Sequence, residues 1–180
     1  PWGPPPEPGQ LCFPDEVTVT VASYDLGSDV STEKYYGSAS QQAVRYDFAS
    51  NRLYVDYRNR RLSLATVDAN GQVISCFSND VPNAPPPRKC LVPPGSPLAA
   101  KTEDLIYQGL PAERWTVPVS SGAPVPVDAI VIPGPFGTPL PARAFFRLYG
   151  ITQGQDVWNL SATVPPASTL QPPANCPAAF

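Results

Sequence analysis

Strict alternation of apolar and polar residues dominates the first third of the chain. Residues 17–21 have the sequence Val-Thr-Val-Thr-Val, and residues 44–48 and 53–57 alternate in the same way. Successive side chains of a β-strand point to opposite faces of a sheet, so each segment is predicted to be a strand with one apolar face. In the second strand, Val44, Tyr46 and Phe48 share that face. The pattern predicts consecutive antiparallel strands.

Turn signals and later apolar segments extend the predicted sheet. Asp68-Ala69-Asn70-Gly71 is a strong hairpin signal between strands at 62–67 and 72–77. Residues 102–108 are expected to form one short helical turn. Further strands are expected at 115–119, 125–132, 142–151 and 156–164. About nine or ten strands with at most one or two short helices indicate an all-β fold. We expect curved antiparallel sheets that form a half-barrel or sandwich around an apolar interior.

Proline divides the chain into three parts. The sequence has 26 prolines, but none between residues 15 and 81. Proline cannot donate a hydrogen bond to a β-ladder, so the proline-free stretch is predicted to hold the central strands. The division is therefore a proline-rich segment at 1–14, a single β domain at 15–164 and a proline-rich tail at 165–180.

The composition argues against several classes of function. The chain has no histidine, so Ser-His-Asp and Cys-His catalytic groups are excluded, and we expect no enzymatic activity. The net charge is −3 and no long basic run is present, which argues against a nucleic-acid partner. No apolar run is long enough for a transmembrane helix. Methionine is also absent, even at position 1, so we expect either a mature chain after removal of a signal peptide or an excised fragment.

The four cysteines favour secretion. Cys12, Cys76, Cys90 and Cys176 match no CxxC metal motif, and two disulfides are the simpler interpretation. Disulfides imply an oxidising compartment, although four cysteines permit three pairings. Asn159 begins an Asn-Leu-Ser glycosylation sequon, which agrees with a secreted glycoprotein.

Aromatic residues on the predicted strands are candidates for the lining of an apolar ligand pocket. Large aromatic side chains with a polar tip suit such a cavity, but the same residues equally suit a filled core. The wider aromatic set also includes Tyr54, Phe145 and Tyr149. The residues that we take as ligand-binding are Tyr46, Phe48, Tyr57, Trp115, Phe146 and Trp158.

Two polar groups have weaker functional interpretations. Asp25 and Asp29 bracket a segment that offers some of the oxygens for a calcium site, but it lacks the EF-hand pattern and more simply is a polar loop. No paired carboxylates at a spacing that supports glycoside hydrolysis stand out. Residues 58–61, Arg-Asn-Arg-Arg, are either a contact for an anionic partner or a solvated hairpin turn.

The proline clusters allow a second class of function. Residues 4–8 and 85–87 favour the extended polyproline II conformation. They are either docking segments or stiff spacers that keep sheet edges from pairing. The first interpretation leads to a structural or adhesive subunit of extracellular matrix or a surface appendage that assembles through these segments.

Several short motifs follow one another in a characteristic order along the chain. They are Cys12, Val44-Arg45-Tyr46-Asp47, Leu53-Tyr54-Val55, Gly71, Cys90 after Arg88-Lys89, residues 103–109, Trp115 and Pro172–Cys176. This order resembles the ependymin-related proteins, a family of secreted glycoproteins of which some associate with calcium and extracellular matrix.

The resemblance implies a curved sheet over a hydrophobic cavity, similar to bacterial lipoprotein carriers, that holds an apolar or lipid-like ligand. It also implies a Cys90–Cys176 disulfide, which leaves Cys12 to pair with Cys76.

Overall fold

The computed structural model confirms the all-β fold. It describes residues 9–25, 31–81, 90, 100–107, 109–118, 126–133, 139–148 and 151–178. The strands are β1 (Glu16–Asp25), β2 (Ser31–Ser38), β3 (Ala43–Phe48), β4 (Asn51–Asp56), β5 (Arg61–Val67), β6 (Val73–Asp80), β7 (Ala100–Tyr107), β8 (Leu110–Pro118), β9 (Pro126–Pro133), β10 (Pro139–Leu148) and β11 (Ile151–Ser161), followed by the helix α1 (Ala167–Leu170).

All eleven strands belong to one curved, open, antiparallel sheet. Their order is β6-β5-β4-β3-β2-β1-β11-β10-β9-β8-β7, so β1 lies at the centre and β6 and β7 form the two edges. The proline-free stretch accordingly builds one continuous half, from the centre to the β6 edge. The prolines of the other half lie mainly near strand ends, where a missing N–H costs least.

The predicted hairpin between β5 and β6 is confirmed. The Asp68 amide donates to the Gln72 carbonyl at 2.9 Å, and the Asp68 carboxylate accepts from the amides of Asn70 and Gln72. Gly71 has a φ of 78°, a conformation that glycine adopts without steric cost. Residues 58–60 also form a turn, between β4 and β5, where the Asp56 side chain accepts from the Asn59 amide.

One local expectation is wrong, and two elements were not placed by the sequence pattern. Residues 102–108 were predicted to form a helical turn, but the strand β7 runs through 107, because Glu103 and Asp104 pair with Arg114 and Glu113 of β8. This pairing outweighs local helix preference. The pattern gave no signal for β2, whose sequence Ser-Thr-Glu-Lys-Tyr-Tyr-Gly-Ser does not alternate. The short helix α1 lies in the predicted proline-rich tail.

All four cysteines form disulfides, but the pairing implied by the resemblance is wrong. The bonds are Cys12–Cys90 and Cys76–Cys176, instead of Cys90–Cys176 and Cys12–Cys76. The reason is strand placement. Cys76 lies on the edge strand β6, and the tail runs along that edge with Ala178 in a parallel bridge to Ser78. Cys12 and Cys90 face each other in a separate antiparallel bridge.

The half-sheet β1–β6 has two chemically different faces. We call the valine face the side that carries Val17, Val19 and Val21 of β1 and their register partners on β2–β6. The threonine face carries Thr18 and Thr20 and their partners. Residues directly opposite each other in an antiparallel pair lie on the same face, so the register assigns each position.

The C-terminal segment 162–178 covers part of the threonine face, and we call it the C-terminal strap. Beyond the Cys76–Cys176 bond, the Ser78 amide donates to the Pro177 carbonyl at 2.7 Å, and Arg61 donates to the Cys176 carbonyl at 2.8 Å. Leu170 of α1 is buried. Below the strap, the hydroxyls of Ser63 and Ser78 bond to each other at 2.7 Å, so these buried polar groups are satisfied.

Candidate ligand-binding face

Three rows of side chains cross the valine face at right angles to the strands. The register of β1–β6 defines each row, which is named after its β1 member. Two of the rows are mostly apolar, and the third is mixed. The Val17 row is Val17, Gly37, Val44, Val55, Leu62 and Asn79; the Val19 row is Val19, Tyr35, Tyr46, Leu53, Leu64 and Phe77; the Val21 row is Val21, Glu33, Phe48, Asn51, Thr66 and Ser75.

The Val17 row is closed by the N-terminal segment. Phe13 joins the buried cluster that contains Val17, Val44 and Val55. The segment is held in place by the Cys12–Cys90 disulfide and by a hydrogen bond of 3.0 Å from the Ala39 amide to the Asp15 carbonyl. One end of the valine face is therefore a sealed hydrophobic core.

Exposure increases along the Val19 row toward the edge strand. Val19 is 0% exposed and Tyr35 is buried, whereas Tyr46, Leu53 and Leu64 are half-buried. At β6 the row ends in Phe77, whose exposed fraction is 40%. A single row of aliphatic and aromatic side chains thus passes from the core to solvent without a charged residue.

Aromatic rings make up the centre of this face. Tyr35 and Tyr46 meet edge to face with ring centroids 6.4 Å apart, and Tyr46 lies tilted against Phe48 at 5.5 Å. Gly37 permits this arrangement, because a Cβ at that position would lie 3.0 Å from the Tyr35 ring. The missing side chain lets Tyr35 fold down over the Val17 row.

One carboxylate lies among these apolar groups. The Tyr46 hydroxyl donates to Glu33 Oε2 across the β2–β3 pair. Burial raises the pKa of Tyr46 above its ordinary value, and the bond to Glu33 and its negative charge raise it further. Burial also raises the pKa values of Tyr35 and Tyr57. The hydroxyls of this face are neutral at physiological pH, and Tyr46 acts as a donor.

The structure brings together three of the six predicted ligand-binding residues. Tyr46 and Phe48 are neighbours on the valine face, and Tyr57 packs against the same cluster. Trp115 is on β8, where its indole N–H donates to Glu113 at 2.9 Å. The side chains of Phe146 and Trp158 lie outside the described part, but register aligns these positions with Gln153 of β11 and Thr20 of β1.

Tyr54, grouped with these aromatics from the sequence, lies on the threonine face. Alternation along β4 puts it opposite to Leu53 and Val55, and register pairs it with Arg45. The Arg45 guanidinium lies over its ring at 5.5 Å and over the Tyr36 ring at 5.1 Å. Tyr54 therefore belongs to the packing below the strap.

Two residues of this face were missed by sequence reasoning. Tyr35 and Glu33 are on β2, which was not predicted, so no face was assigned to them. A signal was present, because the interval between residues 21 and 44 is long enough for one further strand. The partners of Glu33 on β1 and β3, Val21 and Phe48, are apolar and give no hint of a charge between them.

The other predicted sites find less support in geometry. Residues 26–29 of the calcium candidate lie outside the described residues, and within the described ranges no group of three or more His, Cys, Asp or Glu side chains converges. The side chain of Asn159, the predicted glycosylation site, is also outside them.

Lys101 and Glu113 pair at 2.8 Å on the exposed β7–β8 hairpin, which lowers the pKa of Glu113.

The two disulfides are compatible with an extracellular or periplasmic location. In the described part of the chain, no helix has both the length and the apolar character needed to span a bilayer.

Comparison with known proteins identifies the fold. No family model matches the sequence, and no curated protein matches it. An uncharacterized conserved protein from Thermus thermophilus has a similar structure, with a TM-score of 0.55 at 9% identity over 91% of this chain and 90% of that one. At this identity the similarity extends to the fold alone.

Two further solved structures are similar at lower scores. MucB has a TM-score of 0.49 at 15% identity over 93% of this chain and 61% of its own. A LolA superfamily protein from Nitrosomonas europaea has a TM-score of 0.38 at 10% identity, with 91% and 94% of the two chains covered.

Proposed function

We propose that the protein is a non-enzymatic binding protein that holds an apolar, lipid-like ligand against the valine face. The observation that carries the proposal is the Val19 row, in which Tyr46, Leu53, Leu64 and Phe77 are apolar but incompletely buried. Exposed apolar area costs about 25 cal/mol per Å² relative to burial. A ligand that covers the row recovers this free energy.

The rigidity of the surroundings supports a preformed site. The row begins at Val19, inside a core that also contains Phe13 and Tyr35, and five hydrogen-bonded strand pairs fix its spacing. Ligand sites in proteins are usually preformed and apolar, with few polar groups that set orientation. The valine face has this composition, since Glu33 is the one charged position in its three rows.

The remaining parts of the proposal rest on the sequence. The absence of histidine supports a role without catalysis, and no cofactor is needed for it. The disulfides and the Asn159 sequon support a secreted glycoprotein. Membership of the ependymin-related proteins, with their lipid-like ligands and calcium, stays a proposal that rests on the motifs alone.

The proposal is tested on disulfide-intact full-length protein. Native mass spectrometry after detergent-free purification, followed by solvent extraction, should detect a co-purified apolar molecule. Leu64→Asn, which places an amide in the middle of the Val19 row, should lower its occupancy about tenfold. Loss of about 1.4 kcal/mol of apolar contact corresponds to a change of this size.

The matched control is Val164→Asn. Val164 has a 55% exposed side chain on the C-terminal strap, outside the valine face, so this variant should keep full occupancy. An empty wild-type protein that also fails to take up dodecanol would contradict the proposed function.

A second candidate function, assembly into matrix or a surface appendage, is favoured by the sheet edges. Ile74 on β6 is 66% exposed, Ile106 on β7 is 69% exposed, and Leu110 next to β7 is also exposed. Apolar edge strands are surfaces on which sheets of two molecules pair. Analytical ultracentrifugation of wild type and Ile74→Lys/Ile106→Lys should then show concentration-dependent assembly in the wild type alone.

A further inference from the structure

The polarity of the valine face changes from one end to the other. The Val17 row is apolar on five consecutive strands and meets the N-terminal segment at Phe13. The Val21 row, two residues away from the Val19 row, instead carries Glu33, Asn51, Thr66 and Ser75. Four residues of strand separate the outer rows, which is about 13 Å. The face is amphipathic along the strand direction.

Glu33 is the charged group of the polar end. Its carboxylate accepts from the Tyr46 hydroxyl, so it is oriented toward the ligand-facing aromatic cluster. The ion pairs between described side chains join Arg45 to Asp47, Lys101 to Asp104 and Glu113, and Arg114 to Glu103, and none of them includes Glu33. Lys34 follows Glu33 in sequence, and Arg52 is aligned with Lys34 through Asp47, so both cations occupy positions of the threonine face.

A second polar pair extends this end of the face. Thr66 donates to the Asn51 side-chain oxygen at 3.3 Å, two and three strands away from Glu33. Neither pair supplies a positive charge. The polar end is therefore negative and rich in acceptors, whereas the opposite end is hydrocarbon.

We propose that the valine face selects single-chain amphiphiles with a cationic head group, bound with the head at Glu33 and the tail along the Val19 row toward Phe77. The inference rests on the proposed function and names its ligand class. A primary ammonium group donates three hydrogen bonds and carries the charge that complements a carboxylate. An anionic head, such as that of a fatty acid, is repelled at the same position.

The test compares three probes of equal chain length: dodecylamine, dodecanol and dodecanoic acid. Each is titrated below its critical micelle concentration, or for dodecanol below its solubility limit, into disulfide-intact full-length protein at pH 7 by isothermal calorimetry. Wild type should bind the amine about tenfold more tightly than the alcohol, since a charge-assisted hydrogen bond exceeds a neutral one by about this factor. The acid should bind more weakly than the alcohol.

Three variants separate the carboxylate from the fold. Glu33→Gln should bind dodecanol as wild type does but lose the preference for the amine. Tyr46→Phe keeps the Glu33 charge and removes the hydroxyl that donates to it, so it should keep the preference. Glu103→Gln is the control: it removes a half-exposed carboxylate on β7 that pairs with Arg114. This variant should bind all three probes as wild type does.

The outcomes separate the two proposals. Dodecanol binding without an advantage for the amine, or an advantage that persists in Glu33→Gln, overturns the head-group inference and leaves the proposed function standing. Failure of all three probes to bind wild type overturns both.

Discussion

The two faces of the β1–β6 half-sheet are covered in different ways. On the threonine face, the C-terminal strap makes directed contacts: a disulfide to Cys76, main-chain bonding to Ser78 and a bond from Arg45 to the Thr169 carbonyl at 3.2 Å. On the valine face, the part of the chain that the structure describes closes the Val17 row, by hydrophobic contact with Phe13. The polar face is thus partly covered through specific bonds, and among the described residues the apolar face stays partly open.

This difference follows from the free-energy cost of exposing each face to water or of covering it. Buried polar groups such as those of Ser63 must find partners, so a polar face can be covered only by a segment with matching donors and acceptors. An apolar face accepts any hydrocarbon of suitable shape. A protein that needs a replaceable occupant therefore leaves the apolar face open and ties its own chain to the polar one.

The largest effect is expected from removing the strap's covalent link. Cys76→Ser/Cys176→Ser should lower the free energy of unfolding by about 2–5 kcal/mol, because the bond closes a long loop. Hydrogen exchange should increase at Ala65 and Ser78 on the threonine face, while dodecanol binding persists. Loss of binding together with the strap would show that the two faces are not independent.

The reciprocal variant sharpens the same comparison. Cys12→Ser/Cys90→Ser also opens a long loop, but it releases the N-terminal segment from the Val17 row. It should lower the free energy of unfolding by a similar amount and weaken dodecanol binding, whereas hydrogen exchange at Ala65 should not change.

A smaller loss of stability is expected at Arg45. Its guanidinium lies over two tyrosine rings and forms a double hydrogen bond to Asp47, with both N–O distances 2.7 Å. Arg45→Met should destabilise by about 1–3 kcal/mol in urea unfolding, since hydrogen bonds and ring contacts are lost together. Arg58→Met, at an exposed turn, is the control and should stay within about 0.5 kcal/mol.

Burial of the tyrosine hydroxyls on the valine face should also be detectable at alkaline pH. The pKa values of Tyr35, Tyr46 and Tyr57 are raised above the ordinary value of 10. Above pH 10 the unfolded chain loses these protons while the folded chain keeps them, so stability falls as pH rises further. Absorbance at the tyrosinate band should lag behind that of the urea-unfolded protein. Coincident curves would contradict the burial of these hydroxyls.

The smallest stability change is expected where the face is most open. Phe77→Ser removes a large ring whose side chain is 40% exposed. The free energy of unfolding should therefore fall by less than about 2 kcal/mol, which is less than the loss expected for a fully buried Phe. Dodecanol affinity should nevertheless fall severalfold. A large loss of stability without a loss of affinity would mean that Phe77 packs in the hydrophobic core and does not contact the ligand.

Sequence patterns predicted much of the half-sheet β1–β6, because alternation and turn residues are local signals. Val17–Val21, Val44–Phe48 and the Asp68–Gly71 hairpin are observed as expected. The disulfide pairing was not predictable, because it depends on which segments become neighbours, and β2 gave no signal beyond the length of the interval between residues 21 and 44. For the same reason, Tyr46 and Phe48 were found as site candidates, whereas their partners Glu33 and Tyr35 were not.

The most direct test of the central claim locates a bound amphiphile by NMR. Dodecylamine is added to methyl-labelled full-length protein, and intermolecular nuclear Overhauser effects, which report only groups in close contact, are recorded. The methyl groups of Leu53 and Leu64 on the valine face should show contacts to the alkyl chain, while those of Ala65 and Leu170 on the threonine face should not. Contacts of equal strength on both faces, or none at saturating ligand, would contradict the account.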